Sequence, residues 1–237
     1  MKSGYKRSRG VRDPIASDPT RAKLLEAARE VFAECGYYGA TVRKICTRAG
    51  ANVAAVNYHF GDKMELYTEV LRQLVSAVHS GQRENIRKIL GEHAAPEKVL
   101  REVIRAMLET MCGAHRPTLH FRLMAHELAQ PTPTLSRIIE EETRPNYERL
   151  CEIIGQILGL PRDHEKTRLC THSVIGQVVH YAHAGPVMTQ LWPELKMTPE
   201  QLEQIGNHIA EFSLAYLRGT HPNRERVMAK RDARRRK

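Results

Sequence analysis

Twelve histidines and five cysteines are the residues best equipped for metal or nucleophilic chemistry, and all but one of the histidines lie beyond residue 67. His180 and His183 stand three apart, a spacing that puts both on one face of a helix within reach of a shared metal ion. His172 points nearly the same way as His183, but eleven residues of helix separate them by roughly 16 Å. Cys170-Thr171-His172 and Cys112-Gly113-Ala114-His115 have no second pair at a useful spacing. No H-E-x-x-H, no G-x-S-x-G and no Gly-rich phosphate loop occurs. The histidines therefore read as satisfied or exposed helix residues. No metal, cofactor or catalytic group is expected, and a metal-dependent sensor or enzyme built on His180 and His183 is the alternative. The cysteines form no C-x-x-C pair and read as reduced thiols.

A different chemistry is concentrated between Thr41 and Lys63, in TVRKICTRAGANVAAVNYHFGDK. Asn52 to Phe60 contains no Lys or Arg, yet its groups suit a polyanion. Tyr and His side chains, and the amides at a helix N-terminus, bind phosphate. Val and Ala can touch a thymine methyl, and Asn can pair with adenine. Cationic groups flank this segment: Arg43, Lys44, Arg48 and Lys63, with an N-terminal arm carrying Lys6, Arg7, Arg9 and Arg12. Arms of this kind can enter a minor groove. The net charge of +10 is uneven, at +3 over residues 1–19, +3 over 20–63, −3 over 64–217 and +7 over 218–237. Such asymmetry fits a nucleic-acid module carried by a body with another task. A non-specific nucleic-acid binder driven by the basic ends is a second alternative.

Helices must position these groups, because alternating strand patterns and Asn-Gly hairpins are nearly absent. Asp18-Pro19 starts a helix whose inward face is Leu24, Leu25, Ala28, Val31 and Phe32, stopped by Gly36. Thr41 caps a second helix ending at Gly50, Asn52 caps a short third ending near Phe60, and Asp62 caps a fourth running to Ser80 or Leu90. Longer helices are expected at 96–114, 117–130, 134–158, 164–184 and 198–218, with Pro145 kinking or splitting the third of these. Gly185-Pro186 reads as a break. No run approaches the length of a membrane span, and no apolar signal segment follows the basic N-terminus, so a cytoplasmic protein is expected.

Residues 41–60 thus form helix, Gly-centred turn and short helix. TVRKICTRAGANVAAVNYHFGDKMELY resembles the helix-turn-helix of TetR-type transcriptional regulators, through Thr41, Ile45, Ala49-Gly50, Tyr58-His59-Phe60, Lys63 and Glu65-Leu66-Tyr67. NVAAVNYHFGDKMELY is similar to the CecR (YbiH)-like branch, as, more weakly, are FRLMAHEL at 121–128 and THSVIGQVVHYAHAG at 171–185. The resemblance implies an all-α homodimer that binds a double-stranded DNA operator of palindromic sequence and a small-molecule effector, usually acting as a repressor. It implies a DNA-binding domain over 20–67 and a ligand-binding and dimerisation domain over 68–218, which the charge and composition flank with a basic flexible arm over 1–19 and a basic disordered tail over 219–237. By the same resemblance Thr41 and Arg43 match phosphate or base contacts at the start of the second helix, and Lys44 joins the DNA contacts by its charge. Ala54 and Ala55 match small or hydroxyl-bearing positions near the bases, and Tyr58, His59 and Lys63 match phosphate contacts; the cap residue Asn52 and the groove-side Val53 are counted among the DNA contacts with them. Asn57 departs from the Tyr common at its position.

Gly176 sits inside an apolar helix at a cost near 1 kcal/mol relative to Ala. A close helix approach would account for it, either in the dimer seam that the resemblance implies or in the core of one subunit. The seam candidates are His172, Gly176, Val179, His183, Ile205, Ile209 and Phe212. The effector-pocket candidates are Met107, Met111, Phe121, Met124, His126, Tyr147 and Cys151, each of which could equally fill core.

Overall fold

A computed structural model describes residues 18–91, 93–112 and 119–219. The arm up to residue 17 lies outside the described residues, as does the tail from 220 onward. The described residues form helices α1 (Pro19–Gly39), α2 (Val42–Ala49), α3 (Val53–Phe60), α4 (Lys63–Leu90), α5 (Pro96–Cys112), α6 (Leu119–Ala129), α7 (Pro133–Ile138), α8 (Arg144–Leu158), α9 (Glu165–His183), α10 (Gly185–Leu191) and α11 (Pro199–Gly219). None of these helices is long and apolar enough to cross a membrane.

The first four helices begin where side-chain acceptors permit. Asp18 Oδ1 accepts from the Thr20 amide at 2.9 Å, and Thr41 Oγ1 from Lys44 at 3.1 Å. Asn52 Oδ1 accepts from Ala54 at 3.0 Å, and Asp62 Oδ1 from Glu65 at 2.9 Å. Each satisfies an amide with no partner inside its own helix. Gly36 breaks α1 with φ of 67° and ψ of −179°, and one more turn leads to Ala40. Pro145 has a subtler effect than a kink. It has no amide to offer Glu141, and a π-helical turn fills Ile139–Thr143, where the Arg144 amide reaches back five residues to Ile139. Gly185-Pro186 does separate two helices: α9 ends at His183, and the pair opens α10, since a first-turn proline needs no amide partner.

Two cores result. The first joins Leu24, Val31, Phe32, Ile45, Val56, Leu66 and Tyr67, and it also takes in Leu123 of α6 and Ile138 of α7. The second is built by α5, α8, α9 and α11, through Leu100, Ile104, Leu108, Ile154, Val174, Val178 and Leu214. Helix α4 belongs to the first core by its N-terminal half and runs on beyond it for the rest of its 28 residues, roughly 42 Å in all. Ile205 and Ile209, expected on a dimer seam, are buried inside the subunit in the second core. The close helix approach also lies elsewhere. A Cβ on Gly206 would sit 3.4 Å from Leu108, whereas one on Gly176 would meet nothing within 4 Å. All five cysteines are free thiols; Cys46, Cys151 and Cys170 are buried.

Candidate nucleic-acid interface

Helices α2 and α3 meet at a turn made by Gly50, whose φ of 62° closes α2 with its amide directed at Cys46 and Thr47. Only Val56 of α3 is fully buried, and Phe60 is partly buried against the first core. The opposite side presents Val53, Ala54, Asn57 and Tyr58, with Tyr58 79% exposed. These uncharged side chains form a low surface that lets a helix backbone approach base edges closely. Ala55 departs from the expected placement, because it packs partly against the first core.

The cations sort into two kinds. Arg43 is exposed on α2, in a shallow groove it lines with Thr41 and Thr47. Lys44 and Arg48 instead converge on Glu34 of α1, at 3.1 and 2.7 Å. Arg48 first, and then Lys44, hold the Glu34 carboxyl below the usual carboxylate range. Both cations thus face a carboxylate at the protein surface, and Arg48 also lies 3.5 Å from Glu30. His59 is turned inward: its side chain is 10% exposed and its Nε2 lies 3.6 Å from the Asp18 carboxylate. A phosphate would meet that carboxylate as well as the imidazole. Tyr38, 60% exposed in the last turn of α1, went unnoticed among the sequence candidates because the sequence reading stopped that helix at Gly36.

Lys63 shows the largest departure. Its ammonium donates to the carbonyls of Tyr37 and Ala40, both at 3.0 Å, and lies 4.1 Å from the centre of the Tyr37 ring. It ties the start of α4 to the end of α1, a structural task that its position after an N-cap did not announce. Lys63→Met should lower unfolding free energy by about 1–2 kcal/mol. It should also leave the slope of log affinity for DNA against log salt nearly unchanged. A slope reduced by about one unit would instead restore Lys63 as a phosphate contact.

The body holds a half-open cavity of about 530 Å³ between the C-terminal half of α4 and helices α5, α8 and α9. Of the seven pocket candidates, Met107 and Tyr147 line it. Met124 packs on the first core and Cys151 is buried. Met111 packs on the second core, and the Phe121 ring lies 4.9 Å from that of His183. His126 faces Gly36. The sequence reading missed His79, Gln82, Arg83 and Ile86, whose spacing along one stripe of α4 was the available signal. Among the described residues no group of three or more His, Cys, Asp or Glu is placed to hold a metal ion.

With this geometry in view, the profile described as "Bacterial regulatory proteins, tetR family" matches residues 24–70. That of "HTH-type transcriptional dual regulator CecR, C-terminal domain" matches residues 96–219, more than half of the chain. The chain belongs to the TetR family. It is a transcriptional regulator with an N-terminal helix-turn-helix and a CecR-type C-terminal domain, and not an enzyme. The HTH-type transcriptional dual regulator CecR of Shigella flexneri is 25% identical over 70% of this chain and 77% of its own length. The activator FasR of Mycolicibacterium smegmatis is 42% identical, but over only 33% of this chain and 35% of its own. In fold, FadR of Bacillus subtilis, solved with stearoyl-CoA, superposes with a TM-score of 0.61 at 21% identity, covering 81% of this chain and 97% of that one.

In this TetR-family regulator the two matched segments meet through neighbouring residues of α6. A Cβ on Gly36 would stand 3.0 Å from His126 Nδ1. Glu127, 1% exposed, accepts the Tyr67 hydroxyl at 2.6 Å, the Thr132 amide at 3.0 Å and the Thr132 hydroxyl at 2.9 Å. Burial, and then the hydrogen bond to Glu127, push the Tyr67 phenol above its ordinary range, so it remains a donor. Nearby, the hydroxyls of Thr68 and Thr134 lie 2.8 Å apart.

Proposed function

We propose that this regulator binds a palindromic operator as a two-fold homodimer, represses by occupying it, and responds to a small molecule held in the body. The observation that carries the reading is the path of α4. Its N-terminal half helps to build the core that supports α3, and its C-terminal half lines the 530 Å³ cavity. A ligand that prefers one placement of α4 would bias the separation of two reading helices in a dimer. The cavity volume lies within the usual range for small-molecule sites, and FadR, of the same fold, was solved with stearoyl-CoA.

Operator contacts fall to Thr41, Arg43, Asn52, Val53, Ala54, Asn57 and Tyr58, with Tyr38 added as an exposed aromatic beside them. Lys44 contributes what its pairing with Glu34 leaves. The homodimer seam falls on the outward faces of α9 and α11. There His172, Gly176 and His183 are exposed, Val179 is half-buried and Phe212 is 64% exposed. The open space over Gly176 suits a helix from a second copy. A cytoplasmic location and the division into arm, DNA-binding domain, body and tail follow from the same reading.

Footprinting on the DNA beside its own gene tests the whole proposal. The native protein should protect two half-sites about one helical turn, or a multiple of it, apart. Phe212→Asp should shift the protein to monomer in sedimentation and lose that protection. Protection without sequence preference would leave a non-specific nucleic-acid binder instead. A Phe212→Asp protein that stays dimeric would move the seam off α11.

A further inference from the structure

We infer that the cavity takes an amphiphile with an apolar body and one anionic head group, an inference that rests on the ligand-responsive reading above. Residues 64–217 carry a net charge of −3. The cavity reverses that sign. Arg83 and Arg149 line it, as does Arg87, which has a further interaction of its own, and no Asp or Glu side chain lines it among the described residues. Elsewhere in the body arginines pair with carboxylates: Arg105 with Glu102, Arg137 with Glu141, Arg144 with Glu140, Arg218 with Glu97. Arg83 does not. It donates at 2.7 Å to the amide oxygen of Asn146, whose own amide nitrogen donates at 2.8 Å to the Glu142 carbonyl. A neutral amide thus aims the guanidinium without cancelling its charge. Arg149, exposed on α8, likewise has no carboxylate partner among the described residues.

Behind these cations the wall is apolar, with Val99, Val103 and Met107 of α5 opposite Ile153 and Ile175. The three α5 residues are only half-buried, although Ile104 and Leu108 beside them are fully buried, because they face the cavity. His79 adds no charge to this wall. Burial lowers its imidazole below the ordinary range, and its Nδ1 is 3.1 Å from the Glu142 carbonyl. Arginine forks match a carboxylate or a phosphate oxygen pair, and the adjoining apolar wall reduces solvent screening of that contact. A purely apolar ligand would leave unused two guanidinium groups that have no carboxylate partner among the described residues. A cationic ligand would be repelled. Carboxylate and phosphate heads share the required chemistry, and length-matched probes separate them.

The test uses the full chain and N-phenyl-1-naphthylamine, a neutral dye that fluoresces in apolar sites, displaced in turn by decanoate, decyl phosphate, decanol and decylamine. Decanoate or decyl phosphate should displace the dye at concentrations at least about tenfold lower than decanol, with decylamine weakest. Whichever anion is stronger identifies the head group. Arg83→Gln combined with Arg149→Gln should reduce that advantage to less than about threefold while leaving decanol unchanged. Equal displacement by decanol and both anions overturns the anionic class while leaving the cavity as a ligand site, and an anion preference that survives in the double variant overturns the assignment of the head group to Arg83 and Arg149. Met107→Trp and, separately, Val103→Phe fill the cavity, and their folding is checked by thermal melting. Dye binding unchanged in a folded filling variant, or no binding by the native protein, overturns the ligand-responsive reading itself.

Discussion

Gly36→Ala should lower unfolding free energy by about 2–4 kcal/mol and weaken operator binding more than about tenfold. Two separate costs act on this residue. Its φ of 67° and ψ of −179° lie in a region essentially reserved for glycine, where an L side chain costs on the order of 1–3 kcal/mol. In addition the new Cβ would lie 3.0 and 3.2 Å from His126 Nδ1 and Cγ, inside ordinary van der Waals contact. The imidazole must give way, and it sits on the residue next to Glu127. Both the end of α1 and the α6 joint therefore shift together. Urea denaturation measures the first effect, and gel retardation on the footprinted site measures the second. Adding His126→Ala should recover part of the loss, because it relieves the contact but not the backbone strain. A Gly36→Ala protein with an unchanged midpoint would show that the chain relaxes around position 36 at little cost.

Glu127→Ala has the next largest expected effect, a destabilisation of about 3–5 kcal/mol. It strands the Tyr67 hydroxyl and the Thr132 amide in a site that is 1% exposed, and it leaves a void. The conservative variants separate hydrogen bonding from volume. Glu127→Gln keeps the shape and one acceptor oxygen. That oxygen can take the Thr132 amide, which cannot reorient, while the hydroxyls of Tyr67 and Thr132 turn to accept. A cost of about 1–2 kcal/mol is expected, and a similar one for Tyr67→Phe. The functional consequence should differ from the structural one. Glu127→Gln should still bind operator but respond less to a cavity ligand, because the joint between α4 and α6 is looser. Equal ligand response in native and Glu127→Gln proteins would remove this joint from the regulatory path.

The residues on either side of that joint also show where sequence reasoning stops. The four caps at Asp18, Thr41, Asn52 and Asp62 were legible, because a cap needs only an acceptor and an amide two or three residues on. The helix-turn-helix was legible for a related reason: the Ala49-Gly50 turn, the Tyr58-His59-Phe60 run and their order occupy one short stretch. Pro145 announced a disturbance, though only the backbone shows it absorbed as a π turn. The contacts of Lys63 were not legible, since its partners Tyr37 and Ala40 precede it by more than twenty residues. Ile205 and Ile209 were recognised as apolar and assigned the wrong partner, because periodicity says that a face is buried but not against what.

By itself the sequence determined the helical class, the ends of the early helices, the reading helix and its family. These depend on interactions within a turn or two of chain, which spacing encodes directly. Tertiary structure alone decided which cations face outward, which histidines turn inward, and that Arg83 and Arg149 share a cavity with Met107. It also brought Glu127 to Tyr67 across sixty residues. Those outcomes depend on how helices cross, and crossing is set by the summed packing of two cores. No single residue spacing along the chain carries that sum.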